Sequence, residues 1–90
     1  MTVHLLMNPC AINDCLSLVS PGDRLMLADA GVSLLADRQA MARFGEVGHV
    51  EALEVDARVR GLDSNPPARL VSDEEWVQRV VSADRVMSWT

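Results

Sequence analysis

The covalent chemistry open to this chain is sulfur chemistry. Its two cysteines, Cys10 and Cys15, stand in a C-x4-C spacing between an apolar run, Val3 to Met7, and a Pro21-Gly22 turn. That places them just beyond a strand of the kind whose end carries function in α/β proteins. Either thiol is useful as a thiolate, which needs a lowered pKa and a path to its partner. Little else in the sequence is reactive: there is no lysine, no tyrosine, only His4 and His49 as histidines, and no glycine-rich phosphate loop. The spacing is not the C-x-x-C of a thiol oxidoreductase, and no further Cys or His pair stands at zinc-ligand spacing.

Which cysteine is the candidate depends on where the first helix starts. With Asn8 as N-cap and Pro9 at N1, Cys10 falls in the first turn, where the helix dipole lowers a thiol pKa. Cys15 then shares an apolar stripe with Ile12, Leu16 and Val19 and is inert core. With Asn13 as the cap, Cys15 falls in the first turn and Cys10 in the loop before it. The residues leave both registers open, and a cysteine is commonly just a small buried hydrophobe. His4 lies within a strand pattern and His49 at the start of one. Neither is marked as the base of a Cys–His nucleophilic pair, and that arrangement also stays open. Asp29, after the second strand, reads as a helix cap. Asp73-Glu74-Glu75 reads as the acidic first turn of a helix rather than a metal cluster.

The elements that must position these residues follow from the apolar pattern. Val3 to Met7 and Leu25 to Ala28 are apolar on both faces, as central parallel strands are when helices cover each side. Between them lies one helix, ended by Ser20-Pro21-Gly22. Val32 to Ala36 and Arg38 to Phe44 read as a second helical stretch, closed by Gly45 and Gly48. A third strand, Val50 to Val55, alternates with Val50 and Ala52 inward and Glu51 and Glu54 outward. Asp56 to Arg60 makes a short helix ending at Gly61, and Asp63 to Pro67 a loop. Leu70-Val71 is a fourth strand. Ser72 and Glu75 form a capping box at the start of a helix over Asp73 to Ser82. Its stripe Trp76, Val77, Val80 and Val81 is expected to pack on the sheet. Val86 to Trp89 is a last strand, with Trp89 docked on its own domain or on another subunit.

Composition narrows the functions. The 90 residues, 49% hydrophobic and 23% charged, suit one globular α/β domain with a mainly parallel sheet between layers of short helices. A net charge of −5, with eight arginines that form no run, argues against a direct grip on nucleic acid. No apolar run reaches the length of a membrane span and no leader pattern opens the chain, so a cytoplasmic protein with free thiols is expected. Helices this few and short leave apolar surface over, which points to an oligomer.

The order of features resembles the DsrH/TusB family, the smallest subunit type of the DsrE/DsrF/DsrH-like sulfur-relay proteins. It is carried by His4 and the strand after it, Pro9, Pro21-Gly22-Asp23 before Leu25-Met26-Leu27, Asp29-Ala30-Gly31-Val32, Ala52-Leu53 with Asp56, Arg60-Gly61-Leu62, Trp76-Val77, and Val86 to Trp89. The resemblance implies one such domain over residues 1–90 in a hetero-oligomer with DsrE/TusD-like and DsrF/TusC-like subunits, two copies of each. It also implies passage of persulfide sulfur to a DsrC/TusE-like acceptor, for wobble 2-thiouridine in tRNA or in sulfur oxidation. No metal or organic cofactor, nucleic acid or membrane is called for. Some DsrH-type members carry a cysteine on the first helix, and its counterpart here is Cys15, the catalytic residue that the resemblance implies. Ala30 replaces the family's usual Asp, the stretch from His4 to Cys15 is short, and Cys10 has no counterpart. Where the family cysteine is inactive, the chain is instead a structural subunit that completes the assembly while a DsrE/TusD-type partner carries the sulfur.

Overall fold

A strand with apolar residues on both sides has no polar face to show solvent, and the two such runs become interior strands. In a computed structural model describing residues 1–90, these are β1 (Thr2–Leu6) and β2 (Arg24–Leu27). They pair with β3 (His49–Leu53), β4 (Ala68–Val71) and β5 (Arg85–Trp89) in one wholly parallel sheet of order β4-β3-β2-β1-β5. The chain steps outward from β1 to β4, then crosses back to place β5 on the far side of β1. That reversal makes the C-terminal end of β1 and β5 the topological switch point of the sheet, where α/β folds form their crevices.

The crossovers fall on two faces. The helices α1 (Ile12–Leu18), α2 (Arg38–Phe44) and α3 (Glu54–Val59) cover the side of Leu6, Leu25, Leu27, Val50, Ala52 and Ala68, forming the main core. A single helix, α4 (Asp73–Ser82), covers the other, where Val3, Met26 and Val71 meet Leu5 and Trp76. Two of the four α-helices start at a side-chain cap. Asp37 accepts from the N–H groups of Gln39 and Ala40 at α2, and Ser72 and Glu75 form the full capping box at α4.

Four local departures from the sequence pattern have physical reasons. Asp29–Ala36 is a 3-10 helix rather than an α-helical start, because its buried residues Gly31, Val32, Leu34 and Leu35 recur every third position. Gly31 packs so closely on the end of β1 that a Cβ there would stand 2.0 Å from the Leu6 carbonyl oxygen. The third strand ends at Leu53 and α3 begins at Glu54, whose carboxylate, with that of Asp56, suits the positive end of a helix. On α4, Trp76 and Val80 are partly buried but Val77 and Val81 remain 57% and 77% exposed, so only half of the expected stripe packs. Glu51, expected outward, does leave the main core, yet the far face is closed by α4 and the residue is buried.

Candidate functional site

The Asn8 register is the one adopted. Asn8 is extended and its Oδ1 accepts from the Cys10 N–H at 2.9 Å, with Pro9 at N1 of a one-turn 3-10 helix, Pro9–Ala11, that leads into α1. Asn13 therefore caps nothing; its Oδ1 accepts instead from Arg43 of α2. Cys10 is thereby left exposed just beyond β1, beside the switch point. The backbone there is stitched to its neighbours: Met7 and Asn8 N–H groups both donate to the Trp89 carbonyl, and Gly31 N–H donates to that of Met7. Asp29, at the same edge after β2, holds a φ of 51°, accepts from Arg60 at 3.1 Å, and has its N–H bound by Asp56. It caps no helix by its side chain.

Cys15 lies one helix face further in. It has no accessible surface and sits in the main core with Leu6, Leu25 and Phe44. Burial pushes its thiol up to about 12 from 9.0, because a thiolate there would lose its solvation. At neutral pH that sulfur is a protonated packing atom without access to a donor. Of the two placements left open for Cys15, the structure has the core one and not the thiolate-ready first turn of an Asn13-capped helix. The Asn8 cap and the buried position of Cys15 occur together.

Neither histidine reaches a cysteine. His49 stands at the opposite, N-terminal end of the sheet from Cys10. His4 is buried and fully engaged: Trp89 Nε1–H donates to its Nδ1 at 3.3 Å, and its Nε2 lies 3.1 Å from Asp23 Oδ2. An indole nitrogen only donates, so His4 Nδ1 is the acceptor and the ring is the neutral tautomer that donates from Nε2 to Asp23. The rings of His4 and Trp89 also stack, 6.3 Å apart. Desolvation raises the Asp23 pKa, but the N–H groups of Ser20 and Thr2 and the His4 ring outweigh it, leaving the carboxyl below its ordinary value. Residue patterns missed this Asp23–His4–Trp89 chain, although a histidine inside an apolar strand was the available signal. Trp89 accordingly docks on its own domain. Nor does Arg24 face either thiol: it lies on the α4 side at the start of β2, bound to Glu51. No three His, Cys, Asp or Glu side chains converge on a metal position, and no helix is long and apolar enough to cross a membrane.

A doubly wound parallel sheet with one exposed thiol at its switch point and a second sealed beneath it defines a small α/β thiol protein without a nucleotide loop. Comparison with known proteins gives the family. The family model described as "DsrH like protein" matches residues 7–86, and the chain belongs to that DsrH-like family of sulfur-relay proteins. The fold is that of the ychN protein from E. coli, whose crystal structure aligns with a TM-score of 0.71 over 99% of each chain at 15% identity. No curated protein matches the sequence.

Proposed function

We propose that this chain is the assembly subunit of a cytoplasmic sulfur-relay complex, completing a hetterohexameric particle while a DsrE/TusD-like partner carries the relayed sulfur. The observation behind this reading is the state of Cys15: sealed in the core, with its thiol pushed up to about 12. A relay thiol must be a thiolate that meets a donor. Valine pairs left bare on α3 and α4 supply faces for neighbouring subunits. In this reading the partners are DsrE/TusD-like and DsrF/TusC-like subunits, and a DsrC/TusE-like protein accepts the sulfur. Gene neighbours divide the pathways, a tRNA thiolase favouring 2-thiouridine and sulfite reductase-like proteins favouring sulfur oxidation.

A second reading rests on the exposure of Cys10 at the switch point. There the Cys10 thiolate attacks the outer sulfur of a donor persulfide. A new S–S bond forms as the donor's S–S bond breaks, the donor leaves as a thiolate, and Cys10 holds the sulfane sulfur. Intact mass after exposure to a persulfide donor separates the readings, with wild type, Cys10→Ser and Cys15→Ser each measured alone and in the co-expressed complex. Undiminished transfer through both variants supports the assembly role. A one-sulfur adduct lost with Cys10, together with lost transfer, selects the second reading. Loss with Cys15 alone restores the catalytic Cys15 that the family resemblance implied.

A further inference from the structure

We infer that a cavity at the N-terminal end of the sheet, on its α4 side and remote from both cysteines, binds a small tetrahedral oxyanion of the sulfate or phosphate type. The cavity, of about 260 Å³, is lined by Arg24 of β2, His49 and Glu51 of β3, Arg69 of β4 and Arg79 of α4. Its built-in anion is already saturated. Glu51 Oε1 accepts from Arg24 at 2.9 Å and from Arg79 Nε at 3.0 Å, while Oε2 accepts from Arg69 at 2.9 Å and from Arg79 at 3.2 Å. A carboxylate has about four acceptor positions, so Glu51 has none left.

The donors are not exhausted. Each guanidinium has five N–H groups, and Arg24 Nε is buried with no acceptor at all. Glu75 takes up only the outer side, at 3.3 Å from Arg69 and 3.8 Å from Arg79. Three guanidinium groups thus face two carboxylates, leaving a local positive excess in a chain whose net charge is −5. Arg24 Nε is sealed from solvent, so the donors open to a ligand in the cavity are the remaining N–H groups of Arg69 and Arg79, whose side chains are 59% and 26% exposed. Guanidinium forks arriving from two separate elements suit an acceptor with oxygens in several directions. Glu51 then acts as the strut that holds the arginines in place.

The test is a titration of the intact wild-type chain with sodium sulfate and with inorganic phosphate, followed by the arginine side-chain Nε–H signals in ¹H–¹⁵N NMR. Sodium chloride and sodium acetate at matched ionic strength are the controls. Saturable movement of the Arg69 Nε–H signal with sulfate and phosphate, and none with chloride, is the expected result. Arg69→Gln weakens binding by about tenfold, as expected for a lost charged hydrogen bond. Arg38→Gln, at an exposed position of α2 on the other face, changes it by less than about twofold. Shifts that merely track ionic strength, acetate binding as well as sulfate, or equal effects of the two substitutions would each overturn the assignment. The wild-type arm decides the matter even if Arg69→Gln fails to fold.

Discussion

Cys15 offers the sharpest test at the scale of one residue, because this chain titrates almost nothing else at high pH. It has no lysine or tyrosine. In the folded protein the thiol ionises near 12 against 9.0 when unfolded. Between those values the unfolded state has released a proton that the folded state keeps, so stability is full below pH 9 and falls above it. The slope is about 1.4 kcal/mol per pH unit for this single group. Urea unfolding from pH 8 to 10.5 should show that loss in wild type and a flatter profile in Cys15→Ala; parallel profiles would mean that the thiol is not desolvated. The amino terminus, held by exposed Asp84, also ionises above its ordinary value, and its weak contribution cancels between the two proteins. Alkylation adds a second check: iodoacetamide should modify Cys10 readily and Cys15 only after denaturation. This contrast was one of two outcomes that the residues left open, and the Asn8-Pro9 cap decides between them only in the folded chain. The contrast was not legible from the resemblance, which aligns Cys15 with a family position but says nothing of what covers it.

Among the elements, β5 depends on the buried chain from Asp23 through His4 to Trp89. Trp89→Phe keeps an aromatic side chain, smaller than the indole, but removes the only donor to His4 Nδ1, leaving a buried nitrogen unpartnered. The expected loss is about 1–3 kcal/mol in urea unfolding. It should be accompanied by faster amide exchange across β5; uniform exchange would show that the contact does not hold the strand. The Asp23 carboxyl of that chain gives a pH dependence opposite in sign to that of Cys15. Its folded pKa lies below 3.8, so its stabilising effect is present above that value and disappears as the pH falls through the folded pKa. Asp23→Asn should therefore flatten the acid limb of the stability profile. At the neighbouring edge, Gly31→Ala drives a methyl group into the Leu6 carbonyl. About 3 kcal/mol of destabilisation is expected, read as a lowered urea midpoint. Strand positions and the α4 cap were readable because periodicity and capping are local. The three-part chain was not, since Asp23 and Trp89 lie 19 and 85 residues from His4.

At the scale of the molecule, the pattern along the sequence assigns each strand two faces but not its neighbours. The elements were therefore legible in order while the position of β5 beside β1 was not. The same limit explains Glu51. Alternation correctly turned it away from the main core, but whether that side meets water depends on where α4 returns. What the fold leaves uncovered bears on assembly. The accessible surface, 5022 Å², is close to the roughly 5,200 Å² expected of a folded monomer of this mass, so the domain is closed on itself. Four of its seven exposed large apolar residues come as helical i, i+4 pairs, Val55 with Val59 on α3 and Val77 with Val81 on α4. A pair at that spacing forms one ridge, the shape that seats in the groove of a partner helix. Because these valines contribute little to the chain's own core, Val77→Ser with Val81→Ser should change its unfolding free energy by no more than about 1 kcal/mol. If α4 is a subunit contact, the same double substitution should release the chain from co-purified DsrE- and DsrF-like partners in size-exclusion chromatography with light scattering. Retention of the complete assembly would move the interface away from α4 and leave the α3 pair as the face to test.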